Sequence, residues 1–93
     1  MTQWEYINVN WIGESIELSP KEKFELGWFR YKFPKARITE TESSYQIDNV
    51  GKQQQFAVIM LVEHLGREGW EALHISGPIS GNTWAWFKRA LPS

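Results

Sequence analysis

The chain has 93 residues, enough for one domain with a core of its own and too few for two. It is 42% hydrophobic and 23% charged with a net charge of −1, which excludes a disordered polymer and gives no support to a protein that coats duplex nucleic acid. Cysteine is absent, so disulfides, thiolate metal sites and a cysteine nucleophile are excluded too.

The amino terminus lacks the basic-then-apolar run of a signal peptide. The longest apolar run, Phe56 to Val62, falls far short of the ~20 residues of a membrane span. A cytoplasmic protein with no membrane partner is therefore expected. Six Trp, five Phe and three Tyr are the unusual feature. Each large aromatic buries about 150–250 Å², more in sum than one small core easily absorbs.

Trp4 to Ile12 reads as the first strand, ending at Gly13, with Trp4, Tyr6, Asn8 and Asn10 on one face and Ile7, Val9 and Trp11 on the other. Apolar groups on both faces predict that both sides are at least partly covered. Ser19-Pro20-Lys21-Glu22 carries helix-start signals, with Gly27 ending a short helix. Trp28 to Phe33 alternates strictly, Phe29, Tyr31 and Phe33 against Trp28, Arg30 and Lys32, which predicts a half-buried strand stopped by Pro34. Arg37 to Ile47 has the polarity of an edge strand or extended loop.

Asp48 or Asn49 can cap the main helix, roughly Val50 to Leu65, with Gly66 as its terminator. That helix carries two apolar stripes, Val58, Leu61, Val62, Leu65 and Phe56, Ile59, Met60, where an outer helix needs one. Trp70 to Ile75 and Thr83 to Arg89 read as a closing hairpin around a loop from Gly77 to Asn82. In its second strand Trp84 and Trp86 share one face, Ala85 and Phe87 the other. The expected fold is α+β: a single domain over 1–93, with an antiparallel sheet, one main helix on one face and an inserted segment over 13–49 holding a short helix and one or two strands.

Trp4-Glu5-Tyr6, Leu65-Gly66-Arg67-Glu68-Gly69-Trp70-Glu71 and Phe87-Lys88-Arg89 resemble domain-of-unknown-function family 4177, small bacterial proteins that read W-E-Y, L-G-x-E-G-W-E-L and F-K-R. The resemblance covers about half the chain and implies a strand–helix–strand–strand core; it implies no activity. This sequence departs from it in Ala72, where the family has Leu, and in about forty residues between first strand and main helix.

The reactive residues form no recognisable catalytic pattern. His64 and Glu68 are four apart, but Gly66 is expected to break the helix between them. Glu71-x-x-His74 has the spacing of a carboxylate-bridged metal motif, yet on a strand residues three apart face opposite ways. Phosphate-loop, dinucleotide, nucleophile-elbow and zinc-protease motifs are absent from the sequence. No enzyme, cofactor or metal is expected. The surplus apolar residues Phe56, Ile59, Met60, Trp84 and Trp86 point instead to self-association or another protein partner, unless the inserted segment folds over them. The alternative is a single-stranded nucleic acid or small planar ligand held by Trp28, Arg30, Tyr31, Lys32 and Arg37, the one interleaving of rings and cations.

Overall fold

A computed structural model of the protein describes residues 2–50, 54–79 and 82–92, with side chains described over 2–50, 56–75 and 83–92. Among these residues the strands β1 (Trp4–Ile12), β2 (Ser15–Ser19), β3 (Arg37–Glu40), β4 (Tyr45–Asp48), β5 (Glu71–Ile79) and β6 (Asn82–Ala90) form one antiparallel sheet, ordered β3-β4-β2-β1-β6-β5. Helix α1 (Gly27–Lys32) and the main helix α2 (Gln54–Arg67) complete an α+β fold. No helix among the described residues is long and apolar enough to cross a membrane.

Strand alternation builds the core. Ile7 and Val9 of β1 are fully buried and sit opposite Phe87 and Ala85 of β6; Leu18 and Ile16 of β2 and Ile47 of β4 continue the layer. Helix α2 lays Ala57, Leu61 and Leu65 on this surface, and α1 adds Phe29 and Phe33. Each fully buried Val, Leu, Ile or Phe contributes about 1.5–3 kcal/mol relative to exposure, so this single-sided layer dominates stability.

The inserted segment departs furthest from expectation. All three of its strands, β2, β3 and β4, join the sheet, with β3 at the edge. Trp28 to Phe33 is helix rather than strand. Its first turn is fixed by the Glu25 carboxylate, which accepts the Gly27 N–H at 2.7 Å, and by the Arg30 N–H donating to the Leu26 carbonyl at 2.9 Å. Phe29 and Phe33, four residues apart, satisfy a helical face as well as a strand face, and their ring centroids lie 4.8 Å apart. Tyr31 separates the two geometries: a strand would bury it beside them, whereas it is 84% exposed. The Ser19-Pro20 signals yield only a 3-10 turn, Lys21–Lys23, because Ser19 is held in β2 opposite Asn8 and makes no cap.

Helix α2 runs through Gly66 to Arg67, and Gly69 is its terminator. The Trp70 N–H donates to the Leu65 carbonyl at 2.9 Å and the Gly69 N–H to the Gly66 carbonyl at 3.1 Å, with Gly69 at φ +91°. This pair of bonds around a left-handed residue is the Schellman motif, and buried Trp70 and Leu65 supply its usual apolar contact. The proposed caps Asp48 and Asn49 precede residues 51–53, which lie outside the described residues; the Asp48 carboxylate accepts the Ser15 hydroxyl. Strand β5 continues to Ile79, so most of the expected loop from Gly77 to Asn82 is strand, with 80 and 81 outside the described residues.

Candidate functional site

The face of the sheet opposite α2 carries an aromatic surface built by β1 and β6. Register places Trp4 opposite Ala90, Tyr6 opposite Lys88, Asn8 opposite Trp86 and Asn10 opposite Trp84. Because Ile7, Val9, Ala85 and Phe87 fill the helix side, their neighbours must point the other way. Trp4, Tyr6, Trp84 and Trp86 are 41, 50, 38 and 45% exposed, so β1 is covered on one side only, against expectation. Ile12 extends the surface at one end, and Lys88 Nζ stands 4.2 Å from the Trp4 ring centroid at the other.

Polar groups border the rings. The Asn8 side-chain amide donates to the Ala85 carbonyl at 3.2 Å, which fixes it flat, while Asn10 Oδ1 is buried with no partner among the described residues. Register puts Lys88 and Arg37 on this face together with Glu17, Asp48 and Glu71. Cations and carboxylates nearly balance. A polyanion would find no positive field here.

The residues expected to bind a partner divide between two surfaces. Trp84 and Trp86 belong to the open sheet face. Phe56 and Ile59 are exposed on α2, on the opposite side of the sheet, and Met60 is partly buried against the core. The inserted segment covers only part of that stripe: the Phe33 ring meets Phe56 edge-on at 6.2 Å, and Phe56 stays 57% exposed. Sequence reasoning placed Trp4 and Tyr6 on one strand face but did not join them to Trp84 and Trp86. The pairing of β1 with β6, seventy-odd residues later, is what joins them.

The ring-and-cation alternative loses its geometry. Arg30, Tyr31 and Lys32 are exposed on α1, but Trp28 turns inward, stacked on His64 at 4.4 Å and edge-on to Phe29 at 5.5 Å. Arg37 lies at the outer edge of the sheet, on β3. These five residues form no continuous track.

Two histidine expectations also change. Because α2 continues past Gly66, His64 Nε2 and Glu68 Oε1 approach to 3.6 Å. A bulge between Ala72 and His74 puts Glu71, opposite Lys88, and His74, opposite Trp86, on the same face of β5. Among the described residues no group of three or more metal-ligating side chains is assembled.

The signature segments converge on a buried carboxylate. Glu5 Oε1 lies 3.1 Å from Lys23 Nζ and 3.4 Å from Arg89 Nη2. Arg89 Nη1 also donates to the Glu68 carbonyl at 2.9 Å, and its guanidinium lies 4.3 Å over the Trp70 ring. Burial pushes the Glu5 carboxyl up, but the Lys23 hydrogen bond and the charges of Arg89 and Lys23 outweigh it and hold the group below its ordinary value. Glu5, Glu68, Trp70 and Arg89 thus tie β1 and β6 to the end of α2, a structural role.

Comparison with protein-family models, with curated proteins and with solved structures finds no match to this chain.

Proposed function

We propose that the protein is a non-enzymatic cytoplasmic assembly module that pairs with a second copy of itself through the open face of its sheet. The observation that carries this is the cluster of Trp4, Tyr6, Trp84 and Trp86 on the paired strands β1 and β6, each more than a third exposed. At 38–50% exposure the four rings present about 400 Å², within the roughly 300–600 Å² of a monomer's largest apolar patch, which is often functional. Burying that area on both copies yields roughly 20 kcal/mol at about 25 cal/mol per Å². That gain is an upper bound against an association cost of roughly 4–15 kcal/mol, and the total of about 800 Å² is below the roughly 1,200–2,000 Å² of a standard interface, so residues flanking the rings must join the contact.

Balanced charge on the face favours a protein surface over nucleic acid, and a two-fold axis lets one patch serve both partners. Two such sheets would pack about 10 Å apart with their inner side chains interdigitating. Kinship with family 4177 belongs to the same proposal, supported by the common structural role of Glu5, Glu68, Trp70 and Arg89.

Sedimentation velocity at micromolar concentration tests the reading. The wild type should sediment as a dimer, and Trp84→Thr with Trp86→Thr, which keeps strand propensity, should sediment as a monomer. Phe56→Ser with Ile59→Ser should leave the dimer intact. A wild-type monomer, or a dimer broken only by the helix substitutions, overturns the assignment.

A further inference from the structure

The two edges of the sheet differ. Strand β3 closes one side with four residues, Arg37 and Glu40 at its ends, and the Glu40 carboxylate lies 3.2 Å from Lys21 Nζ. Short length and charge keep an edge from pairing with another chain. Strand β5 closes the other side with nine residues, and from Ala72 to Ile79 the sequence holds no Lys, Arg, Asp or Glu.

Strand β5 is also bare. Every side chain described on it, Glu71 to Ile75, is exposed. Ala72 stands opposite Phe87 and Ile75 opposite Ala85, which puts both on the helix side. Ile75 is nevertheless 61% exposed, so α2 stops short of this strand, and Leu73, within the bulge, is 48% exposed. Among the described residues the backbone of β5 bonds only to β6. An edge strand turns alternate N–H and C=O groups outward. The group that completes such a row is another extended strand.

Charge, position and area point to the β5 strand of a second copy. An antiparallel two-fold pair sets β5 against itself, where the uncharged stretch makes no like-charge contact and the two Glu71 carboxylates fall at opposite ends. The two-fold axis is normal to the sheet, so both aromatic patches stay on one face. Because β5 adjoins β6, the two β6 strands would lie about 14 Å apart, three strand spacings. Two sheets joined in this way and stacked face to face bury about 1,600 Å² between their rings, within the roughly 1,200–2,000 Å² of a standard interface. The area argument rests on the face-to-face pairing proposed above; the exposed edge does not.

We propose that the β5 edge pairs antiparallel with the β5 edge of a second copy, joining two six-stranded sheets into one and two face-paired dimers into a tetramer. The bulge after Ala72 and Pro78, which has no N–H, shorten the ladder. The edge contact is therefore the weaker of the two and forms second.

The test is sedimentation velocity from micromolar to about 0.5 mM, the range in which weak contacts assemble. The wild type should pass from dimer to tetramer. Leu73→Lys with Ile75→Lys, at two exposed positions where the fold tolerates change, should stop at the dimer with an unchanged circular-dichroism spectrum. The face variant Trp84→Thr with Trp86→Thr should pass from monomer to dimer over the same range, and adding the two lysines should hold it as a monomer. Hydrogen exchange at the two ends of the series should slow in β5 and stay constant in β3. A wild type that remains dimeric throughout, a lysine variant that forms tetramers like the wild type, or β5 exchange independent of concentration overturns the edge contact and leaves the face contact standing. A wild type that passes only from monomer to dimer, with the lysine variant monomeric, supports the edge contact and overturns the face contact.

Discussion

Replacing Arg89 by methionine should lower stability by about 2–4 kcal/mol, because one guanidinium serves three partners at the junction of β1, β6 and the end of α2. The hydrogen bond to the Glu68 carbonyl, 2.9 Å long and charge-assisted, is worth about 1.5–3 kcal/mol. The cation over Trp70 at 4.3 Å adds about 0.5–1 kcal/mol at a partly exposed position. The ion pair with Glu5 adds little beyond that: the Arg89 side chain is one-third exposed, and Lys23 remains to neutralise the carboxylate. Methionine keeps most of the apolar stem, so lost packing is not the main effect. For a domain of this size each kcal/mol moves the melting temperature by about 4–8 °C, so a fall of about 8–32 °C should appear in a circular-dichroism melt. Arg89→Lys should recover under half of it, since an ammonium cannot both reach the carbonyl and lie flat on the indole. A melting temperature within about 3 °C of wild type would mean that the cluster ornaments the surface, and the structural role assigned to the signature segments would be wrong.

Glu5→Gln should destabilise the protein at neutral pH and cease to matter in acid. The folded carboxyl is held below its ordinary value of 4.5, so its contribution is complete above that pH and disappears as pH falls through the folded value. Urea midpoints should separate the variant from wild type at pH 7 and draw together as the pH is lowered below 4.5; a gap that widens in acid contradicts the sign. Gly66→Ala should stabilise by about 0.5–1 kcal/mol, as a helical glycine with open space around its missing Cβ, whereas Gly69→Ala should cost about 1–2 kcal/mol at φ +91°. Chemical denaturation of the pair reads both, and equal effects would refute the placement of the helix end. Phe29→Ala should cost about 3–5 kcal/mol as a fully buried ring, and Tyr31→Ala less than about 0.5 kcal/mol; similar losses at the two sites would restore the strand reading of this segment.

What could be read from the sequence was whatever local periodicity determines alone. The alternation of Ile7 and Val9 with Tyr6 and Asn8 matches the buried and open faces of β1, and Ala85 and Phe87 against Trp84 and Trp86 do the same for β6. Helix α2 was visible because Leu61 and Leu65 recur at its period. The segment Trp28–Phe33 reads as strand because Phe29 and Phe33 satisfy periods of two and of four alike; in the fold the Glu25 carboxylate accepts the Gly27 N–H and holds the start of a helix. Gly66 and Gly69 both look like helix ends; only the bonds from Trp70 and Gly69 back to Leu65 and Gly66 distinguish them. The His64–Trp28 stack joins residues far apart in the chain, and no spacing within either segment announces it.

The side on which the inserted segment packs bears most directly on function. Nearly forty extra residues could have folded over the surplus aromatic surface and removed any need for a partner. They do not, and their own composition explains why. Ile16, Leu18, Leu26, Phe29, Phe33 and Ile47 of 13–49 are buried in the core, Phe24, Trp28, Ala36, Ile38 and Tyr45 pack partly buried against it, and Tyr31 points to solvent. Polar residues take the other register: Ser15, Glu17 and Ser19 of β2 and Gln46 of β4 continue the open face outward from Asn8 and Asn10. With side chains alternating at a strict period of two, a strand that gives its greasy face to the helix side must give its polar face to the other. The insertion therefore widens the core and the sheet together, and it sets a polar margin beside Asn8 and Asn10 instead of a lid over Trp84 and Trp86. An aromatic centre with a polar margin is what the proposed self-association requires of this face. Extending the insertion's strands with apolar residues on that margin, as in Glu17→Val, should enlarge the patch and tighten self-association measured by sedimentation; an unchanged dissociation constant would place the contact elsewhere.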